Sequence, residues 1–279
     1  MGVLSALARR LGLAVQRYRP PYDPRTVSLQ PSGAVRGTAL IAYILVPFLR
    51  RAGEAVSSAH THHGESLLMA EAFLEKGYAV DVIDFRNADF VPRRRYDFFV
   101  SARTNLEGIA SRLQRGCVKI AHLDTAHFLF NNAAAYARAL ALQRRRGVTC
   151  TSIRVVEPNR AIEAADYGAL LGGEFLVRTY AYAGKPLFCL PIPTVQTYPF
   201  DERKDFEACR RRFLWFGSRG FVHKGLDLVL EAFAGMPDYE LVVCGPVEEE
   251  KEFAAIYRRE LYEPPNIQTV GGVDVTSPR

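Results

Sequence analysis

Two hydrophobic patterns alternate along this chain. Short apolar runs bounded by turn residues predict buried strands, and stretches with apolar residues every three or four positions predict helices. Ala39–Phe48, Tyr78–Phe85 (YAVDVIDF), Tyr96–Ser101 (YDFFVS) and Cys117–Leu123 are runs of the first kind, with shorter ones at Ala169–Leu171 and Leu187–Leu190. Between them, His60 to Gly77 reads as a loop and then a helix, with Leu67, Leu68, Ala70, Phe73 and Leu74 apolar and Gly77 as its stop. Asn105–Arg115, Ala133–Arg146 and Glu174–Ala183 also read as helical. Strands alternating with helices predict a parallel, doubly wound α/β sheet with ligands at the strands' carboxyl ends.

The alternation pauses at Pro191, Pro193 and Pro199 and then resumes. Phe213–Phe216, Leu241–Cys244 and Ile267–Val270 predict strands; residues 225–234 and 248–260 predict helices. The expected organisation is a leader over 1–36, a Rossmann-like domain over 37–195, a linker over 196–212 and a second Rossmann-like domain over 213–279. Three strands and two helices make roughly half a doubly wound domain, whose sheet edge would lack cover. The second domain is therefore expected to be incomplete, in a C-terminally truncated sequence.

Charge is uneven. The net charge is +6, yet residues 1–36 hold six arginines against the single acid Asp23, leaving 30 cations and 29 anions for the rest. Basic character thus belongs to the leader and gives no reason to expect nucleic acid as a partner. A helical reading of residues 3–18 sets Leu4, Leu7, Ala8, Leu11, Val15 and Tyr18 opposite Arg9, Arg10 and Arg17. That face suits peripheral contact of residues 1–19 with an anionic membrane, while the plainer and favoured reading is a frayed terminus or one docked on its own domain. Pro20, Pro21, Pro24 and Pro31 then predict an extended linker. Arg9 and Arg10 interrupt the apolar run, which argues against a secretory signal. The five cysteines are scattered without a C-x-x-C pair, so neither disulfides nor a zinc site is expected and a cytoplasmic setting follows.

Candidate chemistry concentrates first at FLWFGSRGFVHKGLDLVLEAF, residues 213–233. A strand, a loop with Gly217, Arg219, Gly220 and Lys224, and a helix starting at Gly225 together make an anion site. Free amides and the helix dipole meet two cations there. Neither G-x-G-x-x-G nor the P-loop pattern is present. The loop resembles the donor loop of GT-B glycosyltransferases of the glycosyltransferase 4 type. In that family an Arg, four residues and a Lys-Gly pair grip the diphosphate of a nucleotide sugar. Arg219, Lys224 and Gly225 match that spacing, while Gly217 stands one place further from the Arg than usual. Gly64–Phe85 resembles the first helix and second strand of a GT-B acceptor domain, and Leu241–Gly245 (LVVCG) and Asn266–Gly271 (NIQTVG) resemble donor-domain strand endings.

The resemblance implies a GT-B fold and a retaining transfer of sugar from a nucleotide diphosphate donor. The acceptor would be a glycan, a lipid-linked group or a small molecule, and no metal or other cofactor would be needed. Gly217, Arg219, Lys224 and Gly225 would bind the donor. Family members also carry an E-x7-E motif beyond the third donor-domain strand, which this sequence does not reach before Arg279. The chain alone is therefore expected to be inactive. Glu252 and Glu260 show that spacing on an earlier helix and read as a coincidence.

Two histidine groups complete the candidates. His60, His62 and His63, with Glu65, follow the first strand. They read as cleft-lining residues or, through their density, as a metal site serving a hydrolase. His122, Asp124 and His127 lie at a strand's carboxyl end, where such sheets present reacting groups. The resemblance implies that His122 or His127 contacts the donor sugar. Asp124 would orient an imidazole or accept a proton from the acceptor; one histidine would simply pack with an ordinary hydrogen bond. The remaining rival is a non-catalytic sugar-nucleotide or glycan-binding module of the same fold.

Overall fold

A computed structural model describes residues 20–51, 53, 54, 56, 60–193 and 200–273. The expected leader helix and Pro199 lie outside them. The first sheet has seven strands in the order β1-β3-β2-β4-β5-β6-β7. These are β1 (Thr26–Leu29), β2 (Gly37–Tyr43), β3 (Tyr78–Asp84), β4 (Phe98–Ala102), β5 (Val118–Leu123), β6 (Tyr167–Leu171) and β7 (Leu187–Leu190). All neighbours are parallel except β1 and β3. The Pro-rich stretch is therefore not wholly a linker: TVSL between its prolines pairs antiparallel along β3 as an edge strand.

Helices cover both faces, as a mostly parallel sheet requires. On one face α1 (Thr61–Glu75) sets Ala70, Met69 and Phe73 against Ala39, Ile41, Val80 and Val82. On the other, α2 (Asn105–Ala110), α4 (Ala161–Ala164) and α5 (Glu174–Tyr180) close over Leu40, Ile83, Phe99 and Ala121. The first expected strand stops at Tyr43 because Pro47 opens a 3-10 turn over Val46–Leu49. The helix expected to reach Arg115 ends at Ala110. No helix among the described residues is long and apolar enough to cross a membrane.

The second sheet is parallel, ordered β10-β9-β8, with β8 at Arg212–Phe216, β9 at Glu240–Cys244 and β10 at Ile267–Gly271. A short α6 (Phe206–Cys209) precedes it. The helices are α7 (Leu226–Ala234), α8 (Lys251–Ile256) and α9 (Arg258–Tyr262). The expected single helix over 248–260 is thus two, broken at Tyr257, which is fully buried against Phe253. These helices share a core with Leu241, Val243 and Ile267. The opposite face leaves Leu214, Phe216 and Val270 exposed.

The long α3 (Phe128–Arg146) follows a strand of the first sheet but packs into the core of the second. Leu142 is fully buried there with Leu226 and Leu230. Three arginines on the same helix bind acids of the second body. Arg138 and Arg145 hold Asp227 at 2.6 and 2.5 Å, and Arg146 holds Glu260 at 2.7 Å. The segment after α3 is fastened as well, because Glu252 accepts the amides of Thr151 and Ser152 at 2.8 and 3.0 Å. The E-x7-E look-alike pair, Glu252 and Glu260, is therefore spent on joining the two bodies.

Truncating Leu142 tests this assignment. Leu142→Ala removes a fully buried side chain from a shared core and is expected to cost about 2–5 kcal/mol. Urea unfolding followed by circular dichroism should show the lowered midpoint; an unchanged midpoint would remove α3 from that core.

Candidate functional site

Strand order sets where ligands can enter the first sheet. From β2 the chain passes through α1 to β3 on one side, then returns across β2 to β4 on the other. The carboxyl ends of β2 and β4 therefore face a crevice between helices that leave on opposite faces, the topological switch point of the sheet. Tyr43 ends β2, Arg103 follows β4, His122 lies near the end of β5 with Asp124 just after it, and His60, His62 and Glu65 open α1. The two histidine groups, far apart in sequence, thus meet here, with the exception of His127.

The cluster has an inner and an outer layer. Inside, the Tyr43 hydroxyl donates to Glu65 at 2.6 Å, and His122 Nε2 lies 3.7 Å from the same carboxylate. His122 is buried, and among the described residues neither ring nitrogen has a hydrogen-bond partner. Burial raises the carboxyl pKa of Glu65, but His122 and Tyr43 outweigh it and hold the group below the usual carboxylate value. Burial, reinforced by Glu65, pushes the Tyr43 phenol above its ordinary value.

Outside, Arg103 binds Asp124 through two nitrogens, Nε at 3.1 Å. Arg103 is the described non-glycine residue with positive φ, at 64°, a costly conformation that aims this guanidinium. The Asp124 side chain is only 3% exposed, so its charge depends on that partner. His62 Nε2 lies 3.8 Å from Asp124 with a fifth of its side chain exposed. Burial lowers the His62 pKa, opposed by the Glu65 and Asp124 carboxylates, leaving a neutral imidazole at pH 7. A neutral imidazole beside a fixed carboxylate can take a proton from a bound hydroxyl. His60 caps α1, its Nδ1 accepting the His62 amide at 3.2 Å. Among the described residues no group of three or more His, Cys, Asp or Glu is arranged to hold a metal.

His127 sits apart. Its Nε2 is 3.1 Å from the Tyr182 hydroxyl, which donates to Glu163, and its ring meets Tyr180 edge-on. It is buried and packed among aromatic rings.

At the second sheet, β8 leads into the loop Gly217–Gly225 and then α7. Arg219 and Lys224 both border it but are not free. Arg219 pairs with Glu249 at 2.5 Å, and Lys224 Nζ donates to the Ser218 carbonyl and hydroxyl at 3.1 and 2.7 Å. Gly225 caps α7 at φ 78°, which a side chain would resist. The Gly220 amide donates to Glu250. Asp227, in the first turn of α7, faces the arginines of α3 rather than the loop.

Sequence reasoning missed Arg103, Tyr43 and Arg154. Arg103 and Tyr43 gain meaning only when β2, β4 and β5 lie side by side. Arg154 lies in the stretch after α3 that carries no regular structure, beside His223 and Lys224. Three residues further on, Glu157 favours the charged form of Arg103. Arg154 itself lines the cleft beside the loop, with Arg219 and Gly220.

Asp124 is expected to support the protonated form of His62. Removing that negative charge in Asp124→Asn should move the His62 titration, followed by NMR, further below the free-imidazole value. A rise, or no change, would separate the two groups.

No family model matches this chain, and no curated protein is detectably similar to it.

Proposed function

We propose that the chain is a glycosyltransferase of the GT-B type, resembling the glycosyltransferase 4 family, that moves a sugar from a nucleoside diphosphate to an acceptor hydroxyl with retention. One observation supports this best: the first sheet presents a proton-accepting imidazole–carboxylate pair at its carboxyl ends, the second presents a cationic glycine loop, and α3 with the segment after it fastens the two bodies together.

In this reading the bond between the anomeric carbon and the diphosphate oxygen breaks, and its electron pair leaves on the diphosphate. Arg219 and Lys224 stabilise the charge that grows there. The acceptor oxygen bonds to the anomeric carbon, and its proton passes to His62, which Asp124 and Arg103 hold in place. His122 has too little exposure to touch a sugar in this conformation and acts through Glu65 and Tyr43. The donor is a nucleotide sugar; the acceptor is a glycan, a lipid-linked group or a small molecule. Donor and acceptor parts correspond to residues 213–279 and 37–195.

Charge-assisted contacts to a phosphate contribute about 1.5–3 kcal/mol each, or roughly 10- to 100-fold in affinity. Lys224→Ala and Arg219→Ala should each weaken nucleoside diphosphate binding by that factor, measured by calorimetry. Free nucleoside should be indifferent to both. Unchanged diphosphate affinity in both variants would falsify the donor site.

A further inference from the structure

The loop cations are met by a third from the first half of the chain. Arg154 lines a cleft of about 650 Å³ together with Ser218, Arg219, Gly220, Glu249 and Glu250. It packs so closely on the loop that a Cβ at Gly220, whose φ is 90°, would lie 3.2 Å from its Cδ. Among the described residues its guanidinium has no hydrogen-bonded or ion-paired partner. Its charged neighbours include His223 and Lys224, whose pKa values are lowered first by burial and then by Arg154. Gathering like charges around this loop is unfavourable unless an anion shares the space.

An anion does share it, supplied by the protein. One oxygen of Glu250 accepts the Gly220 amide, while the other is buried with no hydrogen-bond partner among the described residues. Glu250 also opposes the depression of the Lys224 pKa, so its carboxylate lies within electrostatic reach of that ammonium. A carboxylate that satisfies only one oxygen among several donors is a poor fit to the site it fills. A diphosphate, with more oxygens and more charge, suits a glycine amide and three cations better.

We infer that Arg154, Arg219 and Lys224 form one diphosphate subsite drawn from both halves of the chain, and that Glu250 fills it until a diphosphate displaces it. The inference rests on the donor-site reading above. It adds a cation that the loop spacing did not contain and an internal competitor.

Calorimetric titration of the full chain with inorganic pyrophosphate at low salt tests both parts. Arg154→Ala should weaken binding roughly 10-fold or more, and Arg154→Gln, which retains the stem, should do the same. Glu250→Gln should tighten it several-fold, because a neutral amide competes less for the Gly220 amide and the cations. Arg178→Ala, at an exposed arginine paired with Glu174, should leave it unchanged. If Lys224→Ala weakens binding while the Arg154 and Glu250 variants behave as the parent, the donor loop stands and this inference falls. Weaker binding by Glu250→Gln would also overturn it, making Glu250 a support of the loop. If pyrophosphate does not bind, or binds all variants alike, the inference and the donor-site reading fall together.

Discussion

A carboxylate without solvent must have partners, and Asp227 makes its two across the junction of the molecule. Burying that charge is tolerable only because Arg138 and Arg145 each hold one of its oxygens. The pair need not add net stability, since a buried ion pair often only breaks even against apolar packing. What it fixes is registry. It couples α3, which starts beside Asp124, to α7, which starts beside Lys224. Loss of either partner would strand a buried charge, so the two bodies are held in this relation at the level of single residues. The position of the segment carrying Arg154 and Glu157 follows from the same coupling, with Glu252 gripping its start at Thr151 and Ser152.

Strands with strong local patterns were legible from the sequence, because a run such as YAVDVIDF has no other stable use. The edge strand β1 was not, since TVSL is short and lies among prolines that favour a linker. The start of α3 at Phe128, five residues before the expected start, was hidden because a leading FLF suits a strand as well as a helix. The candidate site divides the same way. His62, Glu65, His122 and Asp124 could be singled out as residue types, but their union depends on β2, β4 and β5 lying side by side. Arg103 is informative only through its backbone angle, which no spacing reports. At the loop, residue identity was legible, but the acids opposite Arg219 and Gly220 lie thirty residues later in the chain and carried no signal.

The two sheets differ in how they treat their faces. The first is covered on both sides, in keeping with its parallel strands. The second carries its helices and the borrowed Leu142 on one side, while Leu214, Phe216 and Val270 meet solvent on the other. Its stability therefore leans on one apolar layer, part of which is donated by a helix whose sequence neighbours belong to the first sheet.

Trp215, the protein's single tryptophan, lies in the strand just before the cationic loop. A Cβ on Gly217 would come within 2.7 Å of its ring, and one on Gly245 within 3.0 Å. The indole is thus a floor on which the glycine turn rests, and side chains at those two positions would collide with it. Because no second indole contributes background, any rearrangement of the turn is written directly into the protein's intrinsic emission. The molecule carries its own optical probe beside its cationic glycine loop.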